Sequence, residues 1–250
     1  MNAATRLLSS LVDAVRRPVL RRRLDRVVVE TVRGVPLVVL PEVFNPVVFR
    51  TGRFLAEALE DGVVTRPPSP SGEAPRALDL GTGSGVGAVF AARAGYAVTA
   101  VDLNPEAVRC ARVNALLNGL EDRIEVLQGD LFAPVAGRRF DLVLFNPPFF
   151  RGDPVRLRDA AWRSRDVPER FAAALPGHLA PGGRALVLLS SHGDGASLLA
   201  GLAARGLELS VAASRDFGGE VLRLHSVRSP ASAARAAAPA PGGLREVAAR

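Results

Sequence analysis

Seven short stretches of the chain are rich in apolar residues, and some, such as 142–145, are apolar throughout: 77–80, 97–101, 124–127, 140–145, 185–189, 207–212 and 221–224. Runs with no polar alternation suit strands covered on both faces. The intervals between the early runs have helical spacing instead. In 104–118, Asn104 is a good N-cap, Pro105 fits the first helical position and Glu106 favours the positive end of the dipole. Ala107, Val108, Ala111, Ala115 and Leu116 then recur at helical period, and Gly119 can stop the helix. Strands alternating with helices specify a mostly parallel sheet with right-handed crossovers. The short links after residue 207 predict an antiparallel edge. Upstream, the runs 27–31 and 35–40 flank Arg33-Gly34 and predict a hairpin, followed by a helix over 54–60. The pattern divides the chain into a front unit (1–64), a Pro-rich connector (65–75), the main α/β domain (76–227) and a loosely ordered Ala/Pro/Arg tail (228–250).

Composition narrows the chemistry. Hydrophobic residues make up 48% of the 250, enough for a real core, but aromatics are only 5%, so Val, Leu and Ala must fill it. The single Cys110 excludes a disulfide framework and any Cys-based metal site, and His178, His192 and His225 lack ligand spacing, so no metal is expected. The net charge is +7, yet all 32 basic residues are Arg. Such uniformity is a habit of the whole composition, which weakens the charge as evidence for a nucleic-acid partner. Residues 1–15 are mildly apolar and amphipathic, and Arg16, Arg17, Arg21, Arg22, Arg23 and Arg26 follow them. A secretory signal has its charge in front, and no apolar run reaches the ~20 residues that span a bilayer. The expectation is a cytoplasmic protein with a basic amphipathic front helix and no membrane partner.

The segment Asp79-Leu80-Gly81-Thr82-Gly83-Ser84-Gly85-Val86-Gly87 follows the first strand of the α/β unit and opens a helix. Glycines there let the backbone turn sharply and approach a ligand. The dinucleotide pattern G-x-G-x-x-G/A, begun at Gly81, meets Val86 in its last position and fails. Asp79 would repel a pyrophosphate and attract a cation. Asp102 ends the second strand, where a carboxylate can accept hydrogen bonds from a ribose. Asp130 follows the third strand. Three carboxylates at successive strand ends, with no Arg in the glycine turn, favour a nucleoside without phosphates, and S-adenosylmethionine, with its cationic sulfonium, fits.

The fourth strand ends in Asn146-Pro147-Pro148-Phe149. Two prolines fix the backbone and remove two donors. The side-chain carbonyl of Asn146 and the main-chain carbonyl of Pro147 are then free to accept both N–H bonds of a planar –NH2, a carboxamide or a base amine. Phe149 is placed to stack on it.

With these residues together, the sequence resembles the class I S-adenosylmethionine-dependent methyltransferases with an NPPF motif. Within them it is similar to the short release-factor glutamine N5-methyltransferases. Val43-Phe44-Asn45-Pro46, Thr51, Ala161-Trp162 and 219–222 support the likeness. The resemblance implies a Rossmann-like α/β fold with a mostly parallel seven-stranded sheet, one antiparallel edge strand and helices on both faces. It places Asp79, Gly81 and Gly83 at the methionine part of the cofactor, Asp102 at the ribose, and Asp130 with Leu131 at the adenine. Thr82, Gly85, Leu103 and Asn146 complete that set. Asn146, Pro147, Pro148 and Phe149 carry the reaction, and Thr51 and Trp162 join Asn146, Pro147 and Phe149 around the acceptor. The implied acceptor is a glutamine side-chain amide of a protein such as a peptide-chain release factor. The alternative is an exocyclic amine of adenine or guanine in RNA or DNA. The chain departs from the short enzymes in lacking an acidic residue between Pro46 and Thr51. Arg151, Arg156, Arg158, Arg163, Arg165 and Arg170 crowd the loop after the motif and suit phosphate contacts, but Asp153, Asp159, Asp166 and Glu169 are interleaved with them.

Overall fold

The computed structural model describes residues 25–64, 72–155 and 157–230. The basic front segment, most of the connector and most of the tail lie outside them. The first described element is a hairpin, β1 (Val28–Val32) and β2 (Val35–Val39), in antiparallel register from Val28 opposite Val39 to Val32 opposite Val35. Arg33 and Gly34 turn it with φ of 49° and 79°, the doubly left-handed turn that matches strand twist. Helix α1 (Thr51–Glu60) follows, starting three residues before the apolar pattern predicts.

The main domain contains β3 (Arg76–Leu80), α2 (Val86–Arg93), β4 (Ala97–Asp102), α3 (Pro105–Leu117), β5 (Ile124–Gln128) and β6 (Phe140–Phe145). After the short β7 (Phe150–Arg151) and β8 (Arg163–Ser164) come α4 (Val167–His178), β9 (Leu179–Ser190), α5 (Gly195–Ala203), β10 (Glu208–Asp216) and β11 (Val221–Arg228). The seven-stranded sheet has the order β10-β11-β9-β6-β3-β4-β5. Neighbours from β9 to β5 are parallel, whereas β11 runs antiparallel to both β9 and β10. The antiparallel end is therefore a hairpin whose second strand slots inward beside β9. Strand β9 is longer than its apolar run because Gly182 and Gly183 let it begin early. A Cβ on Gly183 would lie 2.7 Å from the Phe140 carbonyl oxygen.

The period of two along each strand sorts side chains into two layers. Ala77, Leu142, Leu144, Leu186 and Leu188 join the core beneath α1, α2 and the hairpin. Leu78, Leu80, Val143, Phe145 and Val187 face the opposite core with Phe171 and Leu175 of α4. Strand order reverses at β3: β4 lies on one side and β6, reached by a later crossover, on the other. Ligands in open α/β sheets bind beyond the carboxyl ends of the strands at that point.

Side chains of α3 hold the hairpin over this point. Asn114 of α3 is fully buried; its Oδ1 accepts from Val38 N at 2.7 Å, and its Nδ2 donates to the carbonyls of Val38 (2.6 Å) and Ser84 (2.8 Å). One amide thus ties the front unit, the helix and the glycine turn together. Cys110, one turn earlier, donates to the Val38 carbonyl, and burial pushes its thiol up to about 11, which makes it inert.

Candidate active site

The glycine turn is built on Asp79. Its carboxylate accepts from Thr82 Oγ1 at 2.6 Å and from Ala88 N at 2.9 Å, at the start of α2. Burial pushes this carboxyl up to about 7; the two hydrogen bonds oppose the shift and the nearby Asp102 carboxylate adds to it. Gly87 makes the close approach possible, since a Cβ there would lie 2.8 Å from Asp79 Oδ1. Gly81 and Gly83 adopt φ of 62° and 56°. A Cβ on Gly81 would meet no protein atom within 4 Å and would project into open space.

That space is a cleft of about 1130 Å3, partly open to solvent, at the carboxyl ends of β3, β4, β5 and β6. Asp79, Gly81, Thr82, Gly83, Asp102, Leu103, Asp130, Leu131, Asn146 and Pro148 all contribute to its wall. Asp102 Oδ2 accepts from Gly83 N (2.8 Å) and Oδ1 from Asn104 N (2.9 Å). Its carboxyl is raised by burial, with these backbone donors opposing. Leu131 holds an uncommon φ of 47° for a residue with a side chain. Asp130 is not the free carboxylate the sequence suggests, because Arg170 of α4 pairs with it.

Asn146 follows β6 directly. Its Nδ2 donates to Thr51 Oγ1 at 3.2 Å, while its Oδ1 is buried without a hydrogen-bond partner among the described residues. Thr51 itself is buried and absent from the cleft wall, so it reaches the site through Asn146. The turn carrying Thr51 is set by Asn45, whose Oδ1 accepts from Val47 N (3.0 Å) and Val48 N (2.9 Å). Its Nδ2 donates to the buried Glu30 at 2.9 Å.

Other expected site residues stand elsewhere. Gly85 is outside the cleft wall: with φ of 82°, it packs so closely on α3 that a Cβ would lie 2.9 Å from Ala111 Cα. Phe149 packs against Gly193, its carbonyl accepts from Asp194 N at 3.2 Å, and it does not line the cleft. Trp162 instead clasps the loop after the motif onto the front turn, with ring centroids 5.5 Å from Phe44 and 5.3 Å from Phe49. Pro147 is buried behind Asn146 and Pro148. Glu42, Phe44, Pro46, Gly52 and Leu55 close the cleft from the front unit. Only Phe44-Asn45-Pro46 carried a signal for that role, and Gly129 carried none. Gly129 is wedged under Pro134, with 2.2 Å from an imagined Cβ to Cγ. Three arginines of the segment after the NPPF motif face carboxylates: Arg151 pairs with Glu169 (2.5 Å) and Asp194 (3.4 Å), Arg165 with Asp153, and Arg170 with Asp130 and Asp166.

The chain is similar to known proteins in sequence and in fold. The chain is 38% identical over 144 residues to ribosomal RNA small subunit methyltransferase C of Alcanivorax borkumensis, covering 55% of this chain and 39% of that protein. It is 33% identical to a ribosomal protein uL3 glutamine methyltransferase of Bordetella pertussis, covering 55% of this chain and 50% of the other. A putative protein N5-glutamine methyltransferase of Methanocaldococcus jannaschii is 30% identical over 64% of this chain and 78% of its own length. The chain thus spans half or less of the first two relatives. A Thermus thermophilus 16S rRNA N2 G1207 methyltransferase, solved with AdoMet and guanosine, shares the fold at a TM-score of 0.59 and 23% identity, over 82% of this chain and 50% of that one. Residues 41–207, from the front turn through the sheet, match one family throughout, and the chain belongs to the methyltransferase small domain family.

Proposed function

We propose that this chain is an S-adenosylmethionine-dependent N-methyltransferase whose acceptor is the side-chain amide of a protein glutamine. The observation that carries this reading is Asn146: a buried carbonyl oxygen without a partner, on an amide whose nitrogen is tethered to Thr51. A buried acceptor left unsatisfied costs about 1–3 kcal/mol. A donor supplied by the substrate offsets that cost.

The cleft fits the cofactor of this family. Gly81 leaves room where any side chain would intrude, Asp79 and Asp102 place negative charge beside a cation, and no Arg enters the glycine turn. When bound, S-adenosylmethionine supplies a methyl group activated by a positive sulfur. The chain's own residues do the rest. Asn146 Oδ1 and the Pro147 carbonyl accept the two N–H bonds of a flat –NH2, which raises electron density on the nitrogen and fixes its direction. Orientation of this kind is worth roughly 7–11 kcal/mol, and fixed dipoles facing the developing positive charge add to it. The Phe44, Phe49 and Trp162 cluster shields the entrance from water.

The same carbonyl pair suits an exocyclic base amine, and relatives named for ribosomal RNA and for adenine N6 in transfer RNA give that second reading its support. Against it stand the carboxylates paired with Arg151, Arg165 and Arg170, which take up that part of the loop's charge. Incubation with methyl-labelled cofactor and cell extract, split between nuclease and protease, decides between them. Label that survives nuclease and falls to protease supports glutamine; the reverse result overturns it.

A further inference from the structure

The front turn over residues 46–53 has two faces. Pro46 and Gly52 belong to the cleft wall, whereas Val47, Arg50 and Arg53 line a second, solvent-open hollow of about 610 Å3 with Phe54, Arg215 and Phe217. On the cleft side Gly52 packs so closely on Pro46 that a Cβ there would lie 2.5 Å from Pro46 Cβ. Thr51, which holds Asn146, sits within the turn.

Three guanidinium groups line this hollow, and two of them share one carboxylate. Glu57 is buried and already shared, accepting from Arg53 Nε at 2.8 Å and from Arg215 Nη1. Burial pushes Glu57 upward, but the two guanidiniums outweigh it, so its carboxyl lies below the ordinary value and stays charged. Arg50 has no carboxylate partner among the described residues. Its guanidinium lies 5.1 Å from the Phe217 ring centroid, as that of Arg215 lies 5.1 Å from Phe54. A guanidinium held over a ring still offers N–H donors to a ligand, and Arg50 is the one of the three without a carboxylate among the described residues. Arg50 also holds a left-handed backbone, φ 65°, at the start of α1. That conformation costs an L-residue about 1–2 kcal/mol, and glycine would avoid it. A charged side chain is retained where the backbone alone would favour glycine.

We propose that this hollow receives an acidic side chain of the protein whose glutamine is methylated, and so selects among acceptor glutamines. The proposal rests on the glutamine reading of the cleft. A carboxylate meets guanidinium edges in the paired geometry that makes such contacts strong. One isolated hollow suits one carboxylate, whereas a nucleic acid needs several phosphate contacts for useful affinity. Arg50 adjoins Thr51, so the cleft and the hollow lie on either side of one turn, and a substrate that occupies both passes around that turn.

The test uses peptides with one glutamine and either Glu, Ala or Lys at each successive position on both sides of it. For the full-length enzyme, the peptide with Glu at the matching position is expected to be preferred about tenfold in kcat/KM, through KM rather than kcat, the scale of one charge-assisted contact. Arg50→Gly relieves the backbone and therefore folds, and it should reduce that ratio towards one. Arg50→Glu should transfer the preference to the peptide with Lys in the same place. Peptides methylated without any acidic preference, or a preference that Arg50→Gly leaves intact, overturn the hollow while leaving the glutamine reading in place. Failure to methylate any peptide, with or without methylation of an oligoribonucleotide, overturns both.

Discussion

Asn146→Ala separates a catalytic carbonyl from a structural one, because the two roles predict opposite signs for stability. The substitution removes one hydrogen bond, Nδ2 to Thr51 Oγ1, worth about 1 kcal/mol net. It also removes a buried oxygen without a partner, whose retention costs about 1–3 kcal/mol. The sum runs from no change to a gain of about 2 kcal/mol. Turnover should fall by ~100-fold or more, the scale of losing one aligned transition-state partner, and cofactor affinity should barely move. Urea denaturation of the free protein gives the first quantity, single-turnover methyl transfer the second and calorimetry the third. An Asn146→Ala protein that is destabilised by more than about 1 kcal/mol but still transfers methyl at the parent rate would refute the argument, since Asn146 would then be a strut.

The glycines give a paired test. Gly81→Ala places a methyl in the open cleft and should cost stability only about 1 kcal/mol for its positive φ, while cofactor affinity drops steeply; Gly85→Ala drives a Cβ into Ala111 and should destabilise more than it affects binding. Equal effects in thermal melts and calorimetry would mean that the two glycines share one role. Asp79 controls a pH dependence. Its carboxyl is raised from 3.8 to about 7, so the folded state holds a proton that the unfolded chain has released between those values. Stability from this group is fully present below about pH 4 and lost as pH rises through 7. Asp79→Asn should flatten that slope in denaturation curves from pH 4 to 8, and an unaltered slope would place the titration elsewhere. Asp102→Ala should weaken S-adenosylmethionine binding in calorimetry without unfolding the sheet, and normal affinity would mean that the ribose is read by another group.

The main domain was legible where a strand or helix carries its own signal; the helices over Val167–His178 and Gly195–Ala203 and the short β7 and β8 were not read from the sequence. The five parallel strands, the hairpin turn at Arg33-Gly34 and the Asn104 cap come from local patterning, and the cap is made as expected, with Asn104 Oδ1 accepting from Glu106 N at 3.0 Å. The order of strands and the inward position of β11 do not follow from patterning, because pairing between distant segments leaves no local mark. Site residues divide in the same way. Asp79, Gly81, Gly83, Asp102 and Asn146 lie at strand ends, where topology alone brings them to one edge. Glu42, Gly52 and Arg170 arrive from elements whose approach to that edge is a tertiary fact.

Glycine and arginine also show why residue type underdetermines role. Gly81 and Gly85 share a turn and a left-handed backbone, yet one gives space to a ligand and the other to Ala111 of a neighbouring helix. The arginines look alike in sequence, but Arg151, Arg165 and Arg170 are neutralised by carboxylates brought from β5, α4 and the surrounding loops, whereas Arg50 is held against a ring with its charge unspent. Charge counted along the chain therefore points to the loop after the NPPF motif. Arg50 places unpaired charge on the opposite side of the front turn, behind Thr51. Under the proposal made for that hollow, substrate choice follows from an arginine that the fold leaves unpaired, and the carbonyl of Asn146 serves the chemistry.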